Sequence, residues 1–110
     1  MKSCRILAAI SLALVWAQAL ALGDPAAGGK KSQVCQSCHG PDGNSANPGF
    51  PRLAGQEADY LAKALDDYKS GTRKNAVMSG FAAGLSPQDM EDLAAYFSSQ
   101  KGLVFIPLTR

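Results

Sequence analysis

Two cysteines and the chain's only histidine fall within five consecutive residues, Cys35-Gln36-Ser37-Cys38-His39. No other feature restricts the fold so strongly, because each chemistry open to this pentapeptide needs a different scaffold. A structural zinc site takes four ligands, usually Cys or His, and once the N-terminal segment containing Cys4 is set aside the customary fourth is missing. A thioredoxin-like dithiol sits at a helix N-terminus after a strand, where the helix dipole lowers the thiol pKa. Here a helix is predicted ahead of the pair, and no segment alternates with the period of a strand.

Covalent haem attachment uses every part of the motif. The two thiols add to the haem vinyl groups, and the adjacent imidazole is carried under the iron as its proximal ligand. The sequence therefore predicts one haem c, tethered through Cys35 and Cys38 and ligated by His39.

Residues 1–21 have the form of a signal peptide removed on export. Lys2 and Arg5 make a basic head, Ile6 to Trp16 is apolar except at Ser11, and Ala19-Leu20-Ala21 supplies small residues two apart, as a signal peptidase requires. The apolar run is short of the ~20 residues that a spanning helix needs. Cleavage after Ala21 discards Cys4 and leaves nine basic residues against nine acidic. A neutral exported chain gives no sign of nucleic-acid binding, and no stable membrane insertion of the mature chain is expected. The destination is the periplasm, an oxidising compartment outside the bacterial cytoplasm in which haem attachment is completed.

The remainder divides into a domain, 22–102, and an apolar tail, 103–110. A domain this small usually recruits a staple or a cofactor. Asp24-Pro25 reads as an N-cap followed by proline in the first turn, opening a helix that runs to about Val34. Gly40 to Gly55 is rich in Gly, Pro and Asn and is predicted to be a loop. Loops of that length in a small domain usually wrap something. From Glu57 to Lys69, Tyr60, Leu61, Ala64, Leu65 and Tyr68 share one stripe, giving an amphipathic helix that Gly71 ends. Thr72 to Leu85, which contains Met78, is predicted to be irregular. Ser86-Pro87-Gln88-Asp89 has the form of a capping box, and the helix behind it carries Met90, Leu93, Ala94 and Phe97 before ending near Lys101-Gly102. The fold class is all-α. The tail's Leu103 to Leu108 is expected to dock on the domain's own core rather than on a partner.

With "CHGPDGNS", "FPRLAGQ", "YLAKALDDYKSGTR" and "MEDLAAYF" following one another in order, the chain from Gly23 to Ser99 resembles the class I cytochromes c. It is most similar to the small periplasmic mono-haem type and to single halves of di-haem members. The resemblance implies three main helices wrapped around the haem, with the N-terminal and C-terminal helices crossing at a small residue that faces an aromatic one. By position these are Gly28 and Tyr96 or Phe97; the alternative is that Gly28 and Gly29 merely loosen the helix. It also implies that the carbonyl of Pro51 accepts the proximal imidazole N–H, and that Leu53, Tyr60 and Leu65 pack on the haem. Arg52 is either a propionate partner or a solvated arginine.

The second axial ligand decides the function, since a His-only iron has an open position while a His/Met iron suits electron transfer at raised potential. Met90 lies on a helical stripe, where filling a core gap is the default. Met78 has no stripe to join in an irregular segment, and the resemblance places the family's ligand methionine in this stretch, so Met78 is assigned with His39 as the iron's ligand pair. The expected function is a single-electron carrier with no catalytic residue, acting between redox partner proteins such as respiratory complexes, as a monomer or weak dimer. Lys69, Arg73 and Lys74 form either a basic docking rim or a scatter of solubilising charge. The alternatives are a redox subunit of a larger respiratory complex and, if Met78 does not ligate iron, a ligand-binding or peroxidatic haem protein.

Overall fold

A computed structural model describes residues 22–102. The signal peptide expected at 1–21 and the apolar tail at 103–110 lie outside the described residues. Within them the chain forms five α-helices and no strand: α1 Pro25–Lys31, α2 Gln33–His39, α3 Ala58–Ser70, α4 Ala76–Ala82 and α5 Pro87–Ser99.

Asp24 caps α1, its side chain accepting the N–H of Ala26 at 2.9 Å, with Pro25 at the first helical position. The helix does not stop near Val34 as expected. It bends at Ser32 and continues as α2 through His39, so the Cys-x-x-Cys-His motif lies inside a helix rather than after one. The bend has a local cause. The Ser32 hydroxyl donates back to the carbonyl of Gly29 at 2.8 Å, and the N–H of Cys35 reaches only three residues back, to the Ser32 carbonyl. A side-chain bond of this kind competes with the helical ladder and bends it. Gly40, at φ 84°, ends α2.

The loop from Gly40 to Gly55 is irregular, as predicted, and is fastened to the C-terminal helix. The Tyr96 hydroxyl donates to the Pro41 carbonyl at 2.9 Å, and the N–H of Gly55 donates to the Phe97 carbonyl at 3.0 Å. At Gly43 a Cβ would lie 2.8 Å from the Phe97 ring, so only glycine lets the loop lie this close to α5.

Helix α5 is the hub, packing against α1 on one side and α3 on the other. Leu61, Ala62, Leu93, Ala94 and Phe97 form the buried cluster between α3 and α5. The predicted capping box is present in both halves: the Ser86 hydroxyl accepts the Asp89 N–H, and the Asp89 carboxylate accepts the Ser86 N–H. Both α3 and its stop at Gly71 agree with the sequence pattern.

The segment Thr72 to Leu85 corrects the sequence expectation. It is not irregular throughout, because residues Ala76–Ala82 form α4. Asn75 nucleates the turn, its side-chain oxygen accepting the N–H of Met78 at 3.0 Å. A seven-residue helix is too short to be stable alone, and α4 exists by packing on α3, the only helix it touches among the described residues.

Candidate functional site

Between these helices lies a cavity of about 330 Å³ into which the sequence-predicted residues converge. Helix α2 contributes Cys35, Cys38 and His39, the loop contributes Pro51 and Leu53, and α4 contributes Met78. Leu61, Leu65, Leu93, Ala94 and Phe97 supply apolar walls.

His39 is buried, 7% exposed, at the last position of α2. Its Nδ1 lies 2.8 Å from the carbonyl oxygen of Pro51; since a carbonyl only accepts, Nδ1 carries the proton and donates. This fixes the tautomer and leaves Nε2 as the basic nitrogen, with no hydrogen-bond partner among the described residues. Phe50 stands edge-on to the imidazole, ring centroids 6.3 Å apart, limiting its rotation.

Cys35 and Cys38 are both free and half-buried. Burial pushes the Cys35 thiol up, with the Cys38 charge adding to the effect. A redox dithiol needs the opposite shift. Among the described residues no group of three or more His, Cys, Asp or Glu is placed to hold a metal ion.

Met78 is half-buried and lines the cavity, whereas Met90 is 4% exposed and does not line it. Of the predicted packing residues, Leu53 and Leu65 are half-buried against the core, and Tyr60 lines the cavity while remaining 52% exposed. Arg52 also lines it. Sequence analysis missed Phe50, Asn75, Val77 and Phe81, which share the lining. Phe81 was within reach, because it stands three residues beyond Met78 and so shares its helix face once α4 is recognised as helical.

The residues present fit haem c. Two free thiols border the cavity three positions apart, a buried imidazole of fixed tautomer follows them, and leucine, alanine and phenylalanine side chains make its apolar walls. A helical fold with this site defines a class I c-type haem protein. The sequence model described as Cytochrome c matches residues 26–101, and the chain belongs to the cytochrome c family. Its cofactor is haem c, covalently bound at the Cys35-x-x-Cys38-His39 motif.

The chain is 53% identical over 93 residues to cytochrome c4 of Azotobacter vinelandii, covering 76% of this chain and 44% of that protein. To cytochrome c-554(548) of Halomonas halodenitrificans it is 46% identical, covering 72% of this chain and 99% of that protein. The crystal structure of reduced recombinant cytochrome c4 from Pseudomonas stutzeri superposes with a TM-score of 0.71 at 53% identity, covering 74% of this chain and 48% of that one. The chain thus spans about half the length of the cytochrome c4 relatives and nearly all of the shorter Halomonas protein.

Proposed function

We propose that this protein is a single-electron carrier of the bacterial periplasm, with His39 and Met78 as the axial ligands of its iron. The observation that carries this is the presence of one imidazole and one thioether on the wall of the same apolar cavity. When bound, haem c supplies a one-electron Fe(III)/Fe(II) couple whose potential depends on its axial ligands and burial.

The protein's own residues do the rest. Cys35 and Cys38 tether the group, and the Pro51 carbonyl holds the His39 ring in the orientation and tautomer that present Nε2. Leu53, Leu61, Leu65, Leu93 and Phe97 keep water from the cavity, and a dry site holds its geometry through both oxidation states. Met78, on the same cavity wall, would supply the second protein ligand to the iron.

Export rests on the signal-peptide pattern of residues 1–21; among the described residues no helix is long and apolar enough to cross a membrane. The partners are redox proteins that approach the exposed apolar rim formed by Phe50, Tyr60, Val77 and Phe81.

The test is the reduced protein under carbon monoxide at neutral pH. The wild type is expected to take it up only slowly, while Met78→Ala binds it rapidly and shows a lower midpoint potential. Rapid binding by the wild type would overturn the electron-carrier reading in favour of a ligand-binding or peroxidatic haem protein.

A further inference from the structure

Helix α4 carries Met78 and, among the described residues, rests on a single helical neighbour, α3. Besides α3 it faces the cavity, where Val77 and Phe81 stand with Met78 and are 61% and 47% exposed. A short helix with one packed neighbour opens locally at low cost unless something ties it down.

The ties come from two of the basic residues that the sequence suggests for partner docking. Lys69, in the last turn of α3, donates its ammonium to the carbonyl of Leu85, past the far end of α4. Arg73 sits at the near end. Its backbone N–H donates to the Asp67 carbonyl at 3.0 Å, and its guanidinium lies 4.9 Å from the centre of the Tyr68 ring and 3.4 Å from the Tyr60 hydroxyl, to which it donates. Lys74, beside it, is exposed and makes no hydrogen bond or ion pair among the described residues.

We propose that Lys69 and Arg73 are positioning residues that clasp α4 to α3 at both ends and thereby set how often Met78 leaves the iron. The inference rests on Met78 being the axial ligand. Each tie works through α4: Lys69 does not line the cavity, and the Arg73 guanidinium that borders it is held by Tyr60 and Tyr68 of α3. Breaking one lowers the stability of α4 against its open form without altering the His39 side, which is held by Pro51.

The test compares Lys69→Ala, Arg73→Ala, Lys74→Ala and Lys69→Arg in the holoprotein by two readouts. The first is amide hydrogen exchange in Ala82 and Ala83, with Leu93 and Ala94 of α5 as internal controls. The second is the rate at which the reduced protein takes up carbon monoxide. Loss of one exposed charge-assisted bond is expected to speed both by about fivefold, with α5 exchange unchanged, Lys74→Ala matching the wild type and Lys69→Arg restoring slow opening. Exchange at Ala82 and Ala83 in Lys69→Ala and Arg73→Ala no faster than in Lys74→Ala would overturn the clasp. Equal acceleration in α5 would also overturn it, by showing a general loss of stability. A Met78→Ala variant that keeps the far-red band of sulfur-ligated ferric haem would instead remove the ligand assignment, and with it the link from clasp to iron, while the exchange data still judge the clasp alone.

Discussion

Gly28 of α1 lies directly against the backbone carbonyl of Asp92 in α5: a Cβ at position 28 would stand 1.9 Å from that oxygen and 2.8 Å from the Cβ of Tyr96. The crossing expected from the family resemblance is thus in contact here. It also settles the sign of a substitution. If Gly28 merely loosened its helix, Gly28→Ala would stabilise the protein by about 1 kcal/mol through helix propensity. Overpacking at a backbone contact forces the two helices apart, so Gly28→Ala is expected to destabilise by about 1–3 kcal/mol. Gly29→Ala, whose Cβ would be 3.2 Å from the Tyr96 ring, should cost less because that ring can shift. Denaturant unfolding of the holoprotein followed by helical circular dichroism measures both.

The same crossing predicts an acid-sensitive stability. Asp92, 4% exposed, accepts the Asp24 N–H at 2.9 Å, the Lys31 ammonium at 2.6 Å and the Gln88 amide at 2.9 Å. These donors, the Asp24 N–H first, pull its carboxyl down to about 2 from an ordinary 3.8. Asp89, bonded first by Lys31 at 2.8 Å and then by Ser86, is likewise drawn down to about 2. A carboxylate with a lowered folded-state pKa contributes stability above its unfolded value and loses it as pH falls through the folded one. The unfolding midpoint should therefore drop as pH falls from about 4 to about 2. Asp92→Asn should be less stable at neutral pH and show a shallower acid dependence; parallel curves for variant and wild type would contradict this.

Ser45 predicts a local effect next to the His39 imidazole. Its hydroxyl, 5% exposed, is shared between the carbonyls of Cys38 at 3.2 Å and Asn47 at 3.0 Å and accepts the Asn47 N–H at 3.1 Å. Ser45→Ala removes that link between the end of the haem-binding motif and the loop that carries Pro51. Because Asn47 is itself exposed, water can replace part of what is lost, so the expected cost is about 1 kcal/mol. The His39 Nδ1 proton should broaden in the NMR spectrum of the reduced variant, and an unchanged resonance would show that Pro51 is held without help from Ser45.

What could be read from the sequence followed from features that act over a few residues. The Asp24-Pro25 cap, the Ser86–Asp89 capping box and the stripe from Tyr60 to Tyr68 each specify a helix by local chemistry, and each is present. Met90 reads as a core residue because it belongs to a stripe, and it is buried. Two features depended on longer reach. Helix α4 has one local signal, Asn75, and otherwise depends on α3, from which it is separated in sequence by the turn at Gly71. Placing the motif inside α2 required knowing that the chain bends at Ser32 without stopping, which the Ser32–Gly29 bond decides. The basic residues before Met78 read as surface charge, since a lysine's reach to a carbonyl sixteen residues on leaves no trace in composition.

Gly80 offers the last prediction, because it is a glycine inside α4 with nothing within 4 Å of where a Cβ would stand. Alanine there removes backbone freedom from the unfolded chain and improves helix propensity, together worth about 1 kcal/mol. Gly80→Ala should raise the unfolding midpoint and slow exchange of the Ala82 and Ala83 amides by about fivefold, opposite in sign to Gly28→Ala although both add one methyl group to a helix. The comparison should be made with and without haem attached. A variant stabilised in the apoprotein but weakened in the holoprotein would place the Gly80 backbone against the porphyrin. Stabilisation in both forms would leave α4 touching the cofactor through Met78 and its neighbours on the other face.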